Sequence, residues 1–228
     1  MSLTFLSIGP AKNGTSSVFK MLSKHPRIIQ SKTKEPYYSG YIINRNLKSY
    51  LNLFNFENIK DEKEYVLMTA ELHTKTYIDS DYTKIPNVSQ FKFLFLVRNM
   101  FDFFLSFLLH SYHKDNLCLI DLAIKRKYFY YKFLKDISNK IGRENILIMN
   151  INDVNNNQSE IYKFLNINSN YKFELPKLNP NPYINKIPYL ISRNYIKNAI
   201  NDKCDLLLKL FLDEIYKIEK EFNFKIEL

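Results

Sequence analysis

At 228 residues, 46% of them apolar, the chain can bury a proper core as one domain spanning residues 1–228. Lys and Arg number 33 against 23 Asp and Glu, a net charge of +10 that favours polyanionic ligands: nucleotides with several phosphates, acidic glycans, nucleic acid or anionic surfaces. Cys118 and Cys204 are isolated, which excludes a paired-cysteine zinc site and a disulfide framework and fits a reducing compartment.

Some of the charge has a bland source, because Lys, Asn and Ile are abundant throughout, as in proteins of AT-rich genomes. The sequence opens directly on a strand pattern, without the basic start and long apolar stretch of a signal peptide. The most apolar window, Met100 to Leu109, is too short to span a bilayer and carries Asp102. A cytoplasmic protein without a membrane span is therefore expected.

In chain order, the pattern predicts a strand at Leu3–Ile8, helices at Thr15–Ser23 and Asn46–Phe54, and strands at Tyr65–Ala70 and Phe91–Val97. Helices follow at Phe101–Tyr112 and Tyr128–Ile141, then a strand at Asn145–Asn150 and a helix at Ser159–Leu165. Strands apolar through most of their length suit a parallel sheet buried on both faces. Their alternation with helices predicts an α/β fold with a parallel sheet flanked by helices. Asn152–Asn157 reads as a polar loop; Pro176, Pro180, Pro182 and Pro188 punctuate a longer one before helices near Ser192–Ile200 and Asp205–Phe222. No internal repeat and no flexible linker interrupts this order.

The first turn carries the strongest signal. Phe5-Leu6-Ser7-Ile8 runs into Gly9-Pro10-Ala11-Lys12-Asn13-Gly14, and Thr15-Ser16-Ser17 open a helix. Backbone N–H groups at such a helix start, together with its dipole, make a phosphate cradle. The glycine spacing is that of a Walker A loop, but there lysine follows the second glycine, where Thr15 stands here. Lys12 has to reach a phosphate from inside the loop. The alternative is a plain strand–turn–helix with Thr15 as N-cap.

The strand Phe91–Val97 ends at Arg98-Asn99, and Ser106 lies eight residues beyond Arg98, two turns into the following helix. An arginine at the carboxyl end of a parallel strand points into the crevice where open sheets bind ligands, and its fork suits a phosphate. Otherwise Arg98 caps the sheet edge and Ser106 is incidental. A Walker B strand would end in an acidic residue that holds magnesium. None stands here, and no metal is called for.

At this point the chain resembles a known family. Ile8 to Ser17, continuing to Leu22-Ser23-Lys24-His25-Pro26, looks like the 5′-phosphosulfate loop of sulfotransferases that use 3′-phosphoadenosine 5′-phosphosulfate (PAPS). Val97-Arg98-Asn99 through Ser106 resembles their 3′-phosphate motif. Glu144 to Met149 and Ile161 to Asn166 are similar to the family's late core strand and following helix. The resemblance covers most of the chain and implies a P-loop-NTPase-like α/β fold. It also implies that Lys12 stabilises the departing 5′-phosphate, that Asn13, Gly14, Thr15, Ser16 and Ser17 hold that phosphate, and that Arg98 and Ser106 grip the 3′-phosphate. The aspartate and proline that commonly follow the motif arginine are Asn99 and Met100 here, while Asp102 is retained.

Lys34-Glu35-Pro36-Tyr37-Tyr38 resembles the Lys-Glu-x-x-aromatic-aromatic motif of the heparan-sulfate-type and related bacterial carbohydrate branch, which implies Glu35 as the base that deprotonates the acceptor. Ala70-Glu71-Leu72-His73-Thr74 keeps the family's Glu71 but has Leu72 where some members carry lysine. His73 is either structural, a donor to the sulfuryl oxygens, or the base in place of Glu35. His25 matches the family's His-Pro step as a structural residue, and Lys177, Asn185, Lys186 and Arg193 fall where members bring a late basic loop to the 3′-phosphate.

The expected activity is sulfuryl transfer from PAPS to a hydroxyl or amine of a glycan or glycolipid-type acceptor, acidic ones included, with no nucleic-acid partner. Two rivals stand beside it. A divergent P-loop small-molecule kinase would turn over ATP with magnesium, and a non-enzymatic polyanion binder would show salt-dependent binding without preference for PAPS.

Overall fold

Five strands form one sheet in the computed structural model, which describes residues 3–34, 52–54, 65–70, 88–100, 102–103, 106, 130–177 and 204–226. They are β1 (Leu3–Gly9), β2 (Ile28–Gln30), β3 (Tyr65–Ala70), β4 (Val88–Val97) and β5 (Ile146–Asn150), in spatial order β2-β3-β1-β4-β5. Every pairing is parallel. With the helices α1 (Thr15–Leu22), α2 (Tyr130–Ile141) and α3 (Gln158–Phe164) the architecture is α/β, the parallel, helix-flanked sheet expected from the sequence; a fourth helix, α4, spans Cys204–Phe222.

The apolar runs explain why the sheet forms at the centre. On one face Leu6 and Ile8 of β1, Val66, Met68 and Ala70 of β3, and Leu94 and Leu96 of β4 pack with Val18, Phe19, Met21 and Leu22 of α1 and with Ile161 and Tyr162 of α3. Alternation sends Phe5, Phe91, Phe93 and Phe95 to the other face. There Phe5 meets Phe91 at 5.7 Å between ring centroids and Phe54 edge-on at 6.4 Å. Each such side chain contributes about 1.5–3 kcal/mol on full burial.

β1, β3, β5, α1, α2, α3 and α4 lie within two residues of their expected spans, and β4 starts three residues earlier. Two local differences have physical causes. The end of the helix expected at Asn46–Phe54 is not helical: Asn52 and Leu53 form a turn and Phe54 makes an antiparallel bridge to Ser31. Burial of the Phe54 ring against Phe5 sets that conformation. The edge strand β2 has no counterpart in the sequence pattern, because three residues carry too little periodicity and its order comes from pairing with β3. The helix expected at Ser192–Ile200 lies outside the described residues.

The described residues fall into two compact units, one within Met1–Val97 and Lys135–Leu178 and the other within Arg98–Leu134 and Asn179–Leu228. The first holds the sheet. In it β1 leads through α1 to β2 on one side, whereas β4, its other neighbour, leads toward β5 on the opposite side. Connections diverge between the carboxyl ends of β1 and β4, the topological position where open parallel sheets bind ligands. In the second unit the buried Glu214 carboxylate of α4 accepts the Tyr131 N–H at 2.8 Å, placing negative charge at the start of α2. Tyr131 Oη donates to Glu221 at 2.7 Å. Among the described residues no helix is long and apolar enough to cross a membrane.

His25 ties the turn after α1 to the segment after α3. Its Nδ1 accepts the Arg27 N–H at 3.1 Å, so its Nε2 carries the proton and donates to the Asn168 carbonyl at 3.0 Å. The ring lies 4.8 Å from Tyr162 and 4.7 Å from Tyr171, centroid to centroid. The structural role expected for His25 is what the first unit shows. Burial, partly opposed by the Asn168 hydrogen bond, holds its imidazole below the ordinary value of 6.5. The unfolded chain therefore binds a proton that the fold refuses, and stability falls as pH drops through 6.5 toward the lower folded value. Thermal unfolding between pH 7.5 and 5.5 should show a shallower pH slope in His25→Gln than in the unsubstituted protein, although the variant melts lower throughout. Equal slopes would contradict the assignment.

Candidate functional site

β1 ends at Gly9, and a Cβ there would come within 2.9 Å of the Phe93 ring, so glycine lets the strand end sit close to β4. The chain then curls through two left-handed residues, Lys12 at φ 71° and Gly14 at φ 81°. Gly14 adopts this conformation without steric penalty, and a Cβ there would meet Ile151 Cδ1 at 2.7 Å. Lys12 adopts it at a cost of about 1–2 kcal/mol, set by the clash of Cβ with the backbone. A non-glycine residue held this way is a strained position that the surrounding structure must over-determine.

Gly14, not Thr15, is the N-cap of α1. Its carbonyl accepts the N–H groups of Ser17 at 3.0 Å and Val18 at 3.2 Å, and no side-chain oxygen caps the helix. Thr15 is instead the first helical residue and is buried, as is Asn13, while Lys12, Ser16 and Ser17 are half-buried. The first turn of α1 contains no acidic residue. A helix start without a side-chain cap, three successive hydroxyl residues and a lysine within the loop make a donor set that fits an anion, and a phosphate in particular. The six residues expected to form the cradle, Lys12 to Ser17, lie together between the end of β1 and the first turn of α1.

Sequence reasoning missed one residue here. Lys34 Nζ donates to Ser16 Oγ at 2.9 Å, which brings an ammonium to the start of α1. The Lys34 carbonyl accepts the Ala70 N–H at 2.9 Å, fixing its backbone to the end of β3. Its one signal in the sequence is its place in the Lys34-Glu35 pair.

Arg98 follows the last residue of β4 and belongs to the second unit. Its half-buried guanidinium pairs with the exposed Asp102 carboxylate at 3.3 Å. Asn99 stands where the resembled family carries aspartate, and it caps the helix that follows: its Oδ1 accepts the Asp102 N–H at 3.1 Å and its carbonyl the Phe103 N–H at 2.9 Å. Met100, Asp102, Phe103 and Ser106 are helical, and Ser106 is half-buried. Lys177 is exposed on irregular chain. Glu35, Glu71, His73, Asn185, Lys186 and Arg193 lie outside the described residues. Among the described residues no three His, Cys, Asp or Glu cluster as metal ligands would.

No protein-family model and no curated protein matches the chain. Solved structures do. The crystal structure of a sulfotransferase from Alicyclobacillus acidocaldarius superposes with a TM-score of 0.63 over 95% of this chain and 94% of that one, at 18% identity. Mouse sulfotransferase SULT7A1 complexed with PAP gives a TM-score of 0.42 over 73% of this chain and 59% of that one, at 16% identity. The bacterial likeness establishes the fold.

Gly14→Ala tests the turn. The Cβ forces both the positive φ and the Ile151 contact to yield, so the variant should lose at least about 1–2 kcal/mol in denaturant unfolding. Stability equal to the unsubstituted protein would mean that the loop does not require this geometry.

Proposed function

We propose that the chain is a PAPS-dependent sulfotransferase of 228 residues acting on a carbohydrate-type acceptor. One observation carries the reading: the β1–α1 turn opens α1 without a side-chain cap and has its lysine, Lys12, within the turn, ahead of the second glycine. A lysine there serves the phosphosulfate end of a nucleotide, whereas a kinase or ATPase would carry it after Gly14. The shared fold with the A. acidocaldarius sulfotransferase supports the same class.

When bound, PAPS supplies a sulfuryl group whose departure leaves a 5′-phosphate. Lys12 neutralises the charge that grows on the leaving oxygen, a stabilisation that is strongest where the donors are held in place before the reaction begins. Residues Asn13 to Ser17 hold the 5′-phosphate through backbone and hydroxyl donors. Arg98 and Ser106 take the 3′-phosphate, as their motif implies. Glu35 accepts the proton of the acceptor hydroxyl or amine; His73 is the alternative base. The Lys34-Glu35 pair with Tyr37 and Tyr38 behind it favours the carbohydrate branch, and the net charge of +10 suits an acidic glycan or glycolipid.

Isothermal titration should show tight binding of adenosine 3′,5′-bisphosphate and weak binding of ATP with magnesium. The reverse preference would overturn the reading in favour of a kinase. In transfer assays with radiolabelled PAPS and glycan fractions, Lys12→Ala should lose roughly 10²–10³-fold in turnover while still folding. Glu35→Gln should keep nucleotide binding and lose on the order of 10²–10⁴-fold in rate. Full turnover in Lys12→Ala would remove its assigned role, and full transfer in Glu35→Gln would hand the base role to His73.

A further inference from the structure

We infer that Lys34 is a positioning residue of the anion cradle, acting through the hydroxyl of Ser16; this rests on reading the β1–α1 turn as the phosphosulfate site. The segment that carries it is held at several points. Ser31 N–H donates to the Met68 carbonyl at 3.0 Å, Ser31 Oγ to the Thr33 carbonyl at 2.6 Å, and Lys32 N–H to the Leu53 carbonyl at 2.7 Å. The Ala70 N–H then fixes the Lys34 carbonyl at 2.9 Å. From this anchored backbone the side chain reaches across to α1, eighteen positions away in sequence, and ends at Ser16 Oγ.

The direction of that hydrogen bond has a consequence. An ammonium has three donors and no acceptor, so Ser16 Oγ must be the acceptor and its own proton is turned away from Lys34. Lys34 thereby selects the hydroxyl rotamer of the second residue of α1, at the helix end where anions bind. The electrostatics point the same way. A cation beside a helix N-terminus is repelled by the dipole, and Lys34 puts one on Ser16, in a first turn that has no acidic residue. An anion at that end relieves the repulsion and meets a Ser16 hydroxyl whose proton Lys34 has left free to point elsewhere. Lys34 belongs to the cradle by contact, not by sequence position.

Titration calorimetry on Lys34→Met, Lys34→Arg, Ser16→Ala and the Lys34→Met/Ser16→Ala pair, with thermal unfolding alongside, tests this. Adenosine 3′,5′-bisphosphate and inorganic pyrophosphate are the probes. Lys34→Met and Ser16→Ala should each weaken binding on the order of tenfold at an unchanged melting temperature. The double variant should be no weaker than the weaker single, because one interaction is lost once, and Lys34→Arg should recover most of the affinity. Unchanged affinity in Lys34→Met overturns the inference. So do additive losses in the pair, or an arginine variant as weak as the methionine one. If the unsubstituted protein binds pyrophosphate but not the nucleotide, and Lys34→Met loses pyrophosphate, the role of Lys34 stands and the PAPS reading falls. If it binds neither probe, both fall.

Discussion

The turn between β1 and α1 depends on a backbone constraint: Lys12 and Gly14, the two neighbours of the fully buried Asn13, both run left-handed. Gly14 meets its share because it has no Cβ to strike Ile151. Lys12 has a Cβ and carries strain at its φ of 71°. Everything nearby serves to hold that turn. β1 lies between β3 and β4, so the turn leaves from an interior strand, and α1 is pinned below it by Val18, Phe19, Met21 and Leu22 in the core.

Charge gives the turn its chemistry. The helix start is positive by its dipole, and the first turn carries no carboxylate that would stabilise an isolated helix, while the Lys34 ammonium sits on Ser16. Capping differs between two helices. α1 begins at a glycine and leaves its first turn to the loop, whereas the helix after β4 is closed by the side chain of Asn99.

The fold is legible in the sequence where burial is continuous. Tyr65–Ala70 reads as a strand because all but its first residue are buried in the core, and its bounds match. α4 is equally plain from its long amphipathic pattern. Short or long-range order is not legible. β2 has three residues with buried, half-buried and exposed side chains, and it exists through its register with Val66 to Met68. Phe54 reads as the end of a helix, yet a bridge to Ser31 and the Phe5 ring decide its state. In the candidate site, the loop residues Lys12 to Ser17 are readable because a strand, two glycines and hydroxyls fall within one turn. Lys34 is not, since nothing in local sequence tells that its ammonium meets Ser16.

Whether the β1–α1 turn receives the 5′-phosphate of a PAPS-derived nucleotide, as proposed, is tested most directly by a crystal structure of the protein with adenosine 3′,5′-bisphosphate. The expected density places the 5′-phosphate on the N–H and hydroxyl groups of residues 13–17 with the Lys12 ammonium beside it, and the 3′-phosphate against Arg98 and Ser106. A nucleotide bound with both phosphates away from that turn, or reversed so that the 3′-phosphate occupies it, would contradict the claim.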